Sequence, residues 1–280
     1  MATLYYTNSV DSAWDTLLNW WSDQAFTIPS LALPADGDDV YLSGSMGNGP
    51  FVSVTLNHIY VNSGANVYFT GALGNTTSNG GTVNGTITGD AVFNGGDNLA
   101  TITGNAVFND SSNNGTVSGN AIFNGGSYNA LTVSGSAEFN GTSYNASTTT
   151  YIGSGATFND ATHNDGGDFS NPLAGATFND TSYNSGSGYV YSPTFNGDSY
   201  NAGTCAAGFG GAISTFNENS YNTGSVNGLA IFNGPYIPSR VGGTYNGSVE
   251  LNMTCPACPP SGGSDQTIAR LLNLPWFINL

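Results

Sequence analysis

The chain has 280 residues, and its 18 acidic side chains are opposed by only two basic ones, Arg240 and Arg270, for a formal net charge of −16. That balance repels nucleic-acid phosphates and anionic membrane surfaces, and no apolar run approaches the ~18 residues of a spanning helix, so neither nucleic acid nor membrane insertion is expected. Forty glycines and 12% aromatic residues at only 7% charge fit an ordered, uncharged stack, because the aromatics recur at fixed spacing.

In chain order, residues 1–38 form an expected N-terminal cap, dense in Trp14, Trp20, Trp21, Leu17 and Leu18. A stack of β-coils leaves its first edge open, and a bulky segment is needed to cover it. The first residues lack a basic n-region, a continuous apolar stretch and a cleavage site, so a protein made without a secretory leader is expected. Trp14 to Trp21 (W-x-x-x-x-N-W-W) and Leu33 to Leu42 (L-P-x-x-x-D-D-V-Y-L) resemble the opening segment of β-helical surface proteins such as autotransporter passengers.

Residues 39–252 are the expected repeat body. Val52, Val54 and Leu56, then Ile59 and Val61, then Val67 and Phe69 alternate with polar residues, and a period of two means strands. From Ala91 the phrase Ala-x-Phe-Asn recurs, with phenylalanine at Phe93, Phe108, Phe123, Phe139, Phe158, Phe178, Phe195, Phe216 and Phe232. Their spacing of 15, 15, 16, 19, 20, 17, 21 and 16 residues reads as an all-β fold. It is a single parallel β-solenoid of about 15–20 residues per coil, eleven or twelve coils on the order of 55 Å long at ~4.8 Å per strand. Alternation points Phe and the small Ala inward. The slot between them (Val92, Val107, Ile122, Glu138, Thr157, Thr177, Thr194, Thr215, Ile231) then faces solvent. Asn after each Phe, followed by Gly or Asp in most copies, marks a corner that tolerates left-handed backbone, and stacked asparagines would bond one another in a ladder.

Residues 253–265, with Cys255-x-x-Cys258 among prolines and glycines, read as a linker. Residues 266–280 read as a docking segment, because Leu271, Leu272, Leu274, Trp276, Phe277 and Ile278 are too apolar to hang free in water.

Candidate chemistry is sparse. Five residues after the repeat Phe stand Tyr128, Tyr144, His163, Tyr183, Tyr200 and Tyr221, a column that is either a stacking platform for glycans or a structural aromatic ladder. Asp160 and Asp180 occupy equivalent corners, where coil spacing would give them the separation of a retaining glycosidase pair, although Asp after Asn is also ordinary turn chemistry. Asp36 to Asp39 and Asp165 to Asp168 offer oxygen ligands for calcium but match no known calcium loop. Cys255 and Cys258 lack the second pair a zinc site needs, and with Cys205 they are too few for a disulfide framework. Thr86 to Thr88 and Thr101 to Thr103 are similar to ice-binding solenoids, but the tripeptide does not persist. No catalytic residue, metal site or cofactor is therefore expected.

The repeat region resembles the β-solenoids of virus and phage fibres and of bacterial surface adhesins. The resemblance implies a non-enzymatic virion protein, assembled in the host cytoplasm as a fibre, spike or capsid-decorating subunit. Its partners would be sister copies or other virion proteins through the termini, and a cell-surface glycan. The alternatives are an exported adhesin or self-assembling surface-layer filament subunit and, third, a tailspike-like enzyme that degrades polysaccharide.

Overall fold

A computed structural model of the chain describes residues 2–7, 10, 13, 15–45, 56–146, 151–153, 155–166, 173–206, 212–235, 238–254 and 269–271. It is an all-β protein, a parallel β-solenoid of about 11 turns. The helical elements among the described residues are two three-residue 3-10 turns, Leu17–Asn19 and Pro238–Arg240. The chain divides into two compact units, Met1–Ala137 and Glu138–Leu280.

In the first unit, Thr3–Tyr6 is already a rung of the stack, paired in parallel with Asp39–Leu42 so that Leu4 lies beside Val40 and Tyr6 beside Leu42. The same face continues through His58–Val61, Asn75–Ser78, Ala91–Asn94, Ala106–Asn109 and Ala121–Asn124. The open edge of Thr3–Tyr6 is covered by Trp20–Trp21 running antiparallel, with Tyr6 opposite Trp20. The two rings meet edge-on at 5.1 Å, and both are fully buried. Residues 1–38 thus hold a first rung as well as its cover; Trp14 lies outside the described residues. The remaining faces begin as one continuous strand in each coil, Asn66–Leu73 paired in parallel with Thr82–Ile87, and Thr82–Ile87 in turn pairs with both Asp97–Asn98 and Thr101–Ile102. From there each coil carries three strands. Leu56, Ile59, Val61 and Val67 are buried as the alternation requires, while Val52 and Val54 lie outside the described residues.

In the second unit, one face runs from Ala156–Phe158 through Thr177–Phe178, Thr194–Phe195, Ile213–Phe216 and Leu229–Pro235 to Val249–Thr254. A second runs from Tyr144–Asn145 through His163–Asn164, Tyr183–Asn184 and Tyr200–Asn201 to Tyr221–Asn222. The third joins Leu173–Ala174, Tyr189–Tyr191, Thr204–Ala206, Ser225–Val226 and Thr244–Tyr245. Ala269–Leu271 lies antiparallel on the edge of Val249–Thr254. That is the described part of the docking segment; Leu272, Leu274, Trp276, Phe277 and Ile278 lie outside the described residues.

The nine repeat phenylalanines are all fully buried. They stack ring on ring at 4.9–5.3 Å in the first unit and 4.5–4.9 Å in the second, because the strand spacing fixes the ring spacing. Each buried ring contributes roughly 1.5–3 kcal/mol from removal of apolar surface, and each stacked pair about 0.5–1.5 kcal/mol more. Small residues let the coils close. A Cβ on Gly119 would lie 2.4 Å from the carbonyl oxygen of Gly104, so only glycine fits there.

Candidate functional site

The residue after each Phe-Asn adopts the left-handed region: φ is 49° at Asp110, 57° at Asp160 and at Asp180, and 55° at Glu218, and glycine fills the slot at Gly95, Gly125, Gly141, Gly197 and Gly234. Asn and Gly tolerate this region readily, and Asp more than most residues. The asparagine just before it belongs to an outer ladder, half-exposed along most of its length and exposed at Asn79, Asn94 and Asn252, in which each side-chain amide donates to its counterpart in the preceding coil. In the first unit Asn124 donates to Asn109 (2.9 Å), Asn109 to Asn94 (2.8 Å) and Asn94 to Asn79 (3.0 Å). In the second unit the series runs from Asn252 back through Asn233, Asn217, Asn196, Asn179 and Asn159 to Asn140.

A second ladder is fully buried and was not anticipated from the sequence. In the strand Ser-Tyr-Asn the tyrosine points out while serine and asparagine point in. Asn145 donates to Asn164 (2.9 Å), Asn164 to Asn184 (2.9 Å), Asn184 to Asn201 (2.8 Å) and Asn201 to Asn222 (2.7 Å), toward the following coil. In the first unit Asn98 donates to Asn113 and Asn113 to Asn129, both at 2.7 Å. The second amide hydrogen reaches a nearby backbone carbonyl, as from Asn164 to Gly166 (3.0 Å). The buried serine hydroxyls lie within hydrogen-bond distance of the carbonyl of the previous coil's phenylalanine, Ser182 of Phe158 (3.0 Å), Ser199 of Phe178 (3.1 Å) and Ser220 of Phe195 (3.1 Å), and Ser182 and Ser220 are closer still to the corner carbonyls of Asn179 and Asn217 in their own coils, both at 2.7 Å. The signal available in sequence was the strict Phe-to-Ser-Tyr-Asn spacing, which a solvent-facing turn would not need.

The outward column predicted from the sequence is assembled in the second unit. Tyr144, His163, Tyr183, Tyr200 and Tyr221 stack at 4.9, 5.1, 4.9 and 4.9 Å with interplanar angles of 3°, 9°, 5° and 8°. Ring faces are therefore covered by neighbouring rings, and the column offers solvent a ridge of ring edges and hydroxyl tips. A sugar stacks on an exposed ring face, so the arrangement favours the structural ladder over the glycan platform. His163 Nε2 lies 3.3 Å from Asp165 Oδ2. Burial, followed by the charges of Tyr183 and Tyr221, holds the Tyr200 phenol above its ordinary pKa. Tyr128, in the first unit, lies beside Ser112, which itself lies beside Asp97, and Ser112 donates to the Asp97 carboxylate.

A further aromatic stack, missed in sequence, stands on the first unit, where Tyr5, Tyr41 and Tyr60 occupy the outward slot between two inward residues. Tyr5 and Tyr41 are 4.9 Å apart, Tyr41 and Tyr60 4.2 Å, and His58 lies 4.2 Å from Tyr60. The signal was Leu4-Tyr-Tyr6, Val40-Tyr-Leu42 and Ile59-Tyr-Val61, three strands of one pattern. The His58 ring contacts the Thr77 hydroxyl at 2.9 Å, and burial holds its pKa below the ordinary value.

The remaining candidates are engaged in structure. The Asp160 carboxylate accepts from the Gly141 N–H (2.9 Å), and Asp180 from the Asp160 N–H (3.3 Å). Each clamps the corner of the preceding coil, which gives the pair a role other than hydrolysis. Asp38 accepts from the N–H groups of Ala2 (2.5 Å) and Ala35 (3.0 Å), and Asp39 from Asn57 (2.7 Å). Thr88 and Thr103 donate to the carbonyls of Leu73 (2.6 Å) and Thr88 (2.9 Å). Burial pushes the Cys205 thiol up to about 12, which leaves it unreactive. Asp168, Cys255 and Cys258 lie outside the described residues. Among the described residues no group of three or more His, Cys, Asp or Glu could hold a metal, and no helix is long and apolar enough to cross a membrane. No family model, curated protein or solved structure matches this chain.

Proposed function

We propose that the chain is a non-enzymatic structural protein of a virion, a fibre, spike or capsid-decorating subunit that presents a rigid surface for attachment to a host. The observation that carries this reading is the use made of the repeated polar side chains. Among the described residues, asparagines, serines and corner carboxylates bond from coil to coil, which builds stiffness and engages these polar groups in structure. The virion setting comes from the resemblance of the repeat to fibre solenoids.

Both ends favour a discrete subunit over the rival self-assembling filament. A filament that grows by adding coils needs a free parallel edge at each end. On one face, Trp20–Trp21 covers the edge of Thr3–Tyr6 and Ala269–Leu271 covers that of Val249–Thr254, both antiparallel. Anchoring to sister copies or to the particle is assigned to the terminal segments.

Negative-stain electron microscopy of the purified chain with and without residues 266–280 tests this reading. Discrete particles whose short oligomers dissociate on truncation are the expected result. Long filaments that survive truncation would reject it in favour of a surface filament subunit.

A further inference from the structure

The geometry points to the tyrosines stacked on the outside of the second unit, Tyr183, Tyr200 and Tyr221, as an oxidative modification site: a haem peroxidase with hydrogen peroxide joins tyrosines of successive coils as dityrosine. This does not depend on the virion reading. It rests on position. Tyr200 lies 4.9 Å from Tyr183 on one side and from Tyr221 on the other, with interplanar angles of 5° and 8°. The partners are separated by 17 and 21 residues in sequence, yet the parallel register places them side by side. The rings are half-exposed, and the outward residues two places along on the C-terminal side are small, Ser185, Ala202 and Thr223, so an electron acceptor can approach the ridge edge-on.

The chemistry balances. Each phenol gives up one electron and its hydroxyl proton, and the phenoxyl radical carries spin on the ring carbons ortho to oxygen. Two neighbouring radicals couple through one such carbon each, and a C–C bond forms. The ring hydrogen displaced at each carbon then moves to the phenolic oxygen and restores aromaticity. In sum, two tyrosines and one hydrogen peroxide give one dityrosine and two waters. Holding the two rings in neighbouring rungs raises their effective concentration far above that of tyrosines on separate chains, so coupling within the chain wins. His163 interrupts the column and separates Tyr144 from the three consecutive tyrosines, so the productive pairs are Tyr183 with Tyr200 and Tyr200 with Tyr221. Tyr5, Tyr41 and Tyr60 meet the same condition in the first unit. Tyr68 and Tyr151 are more exposed, at 46% and 42%, and stand outside these stacks.

The test treats the dilute full-length chain with a haem peroxidase and hydrogen peroxide. It then reads dityrosine fluorescence in the monomer band of a denaturing gel and maps the linked peptides by mass spectrometry. Dityrosine in the monomer is expected, linking Tyr200 to Tyr183 or Tyr221 with loss of two hydrogens. Tyr200→Phe keeps the ring and the stack, leaves Tyr183 and Tyr221 two coils apart, and should reduce second-unit links to background while those among Tyr5, Tyr41 and Tyr60 persist. Tyr151→Phe should change neither. An unchanged urea midpoint for Tyr200→Phe shows that folding is not the cause. The proposal is overturned if dityrosine is absent, if it appears only between chains, if it maps to Tyr68 or Tyr151, or if second-unit links survive in Tyr200→Phe.

Discussion

The buried asparagine ladder makes a quantitative demand that the outer one does not. Asn184 donates to Asn201 Oδ1 (2.8 Å) and to the Gly188 carbonyl (3.0 Å), and accepts from Asn164 Nδ2 (2.9 Å). In Asn184→Ala the Gly188 carbonyl keeps the Thr204 N–H (2.9 Å), and Asn164 keeps its bond to Gly166 (3.0 Å). Asn201 Oδ1 and one Asn164 N–H are left unpaired in positions without solvent. At roughly 1–3 kcal/mol for each buried orphan, the loss is about 4 kcal/mol. The equivalent change in the outer ladder, Asn179→Ala, also breaks two amide bonds, to Asn159 and from Asn196. Water reaches those half-exposed groups, so the net loss is about 1 kcal/mol. Urea unfolding followed by far-ultraviolet circular dichroism measures both, with the slopes compared first, because a stack can unravel coil by coil and so depart from two-state behaviour. If Asn179→Ala costs as much as Asn184→Ala, the buried ladder is not what holds the coils together.

Two further outcomes follow from the same accounting. Burial raises the phenol pKa values of Tyr41, Tyr189, Tyr200 and, most strongly, Tyr245 above their ordinary value of 10.0. The unfolded chain therefore loses these protons first, as it does the proton of the buried Cys205 thiol, whose ordinary value is 9.0, so stability should fall as pH rises beyond about 9 to 10; a urea midpoint that holds steady to pH 12 while the phenols titrate would contradict this. Arg240→Met removes bonds to the carbonyls of Ser220 (2.7 Å), Pro235 (2.8 Å) and Asn233 (3.2 Å) and should cost about 3–5 kcal/mol. Hydrogen exchange should localise the loss to residues 213–254, and uniform exchange across the chain would refute it.

What could be read from the sequence was whatever period two and coil spacing encode. Ala-x-Phe-Asn gave the inward phenylalanines, the outward slot and the corner, because direction along a strand follows from parity alone. The Asn and Ser of Ser-Tyr-Asn escaped, since a polar residue is assigned outward by pattern and becomes an inward residue only when a partner exists to bond it. That partner lies 15–25 residues away and is visible only once the register is known. The first rung was hidden similarly: Leu4 and Tyr6 alternate as Val40 and Leu42 do, but the tryptophans beside them dominated the reading. The tyrosine column was legible as a column. Its orientation was not, because only the stacked geometry shows that ring faces are covered and edges exposed.

The ladders also explain how the stack ends. The buried amides donate toward the following coil and the outer amides toward the preceding one, so the two rows of side-chain dipoles oppose each other and do not accumulate along a unit. A directed ladder needs a terminator that is not itself a rung. For the buried asparagines this is the Gly242 carbonyl, which accepts from Asn222 at 2.8 Å. For the serine series it is Arg240, whose guanidinium turns toward the Phe216 carbonyl at 3.5 Å, the acceptor that a serine would otherwise serve in the next coil. Arg240 is 2% exposed, and backbone carbonyls are the acceptors its guanidinium bonds, which suits a place where several carbonyls converge. The segment 238–242 therefore closes the repeat chemically. Two of its residues supply the donor and the acceptor that another coil would have supplied, and this accounts for a lone buried arginine in a body otherwise almost free of positive charge.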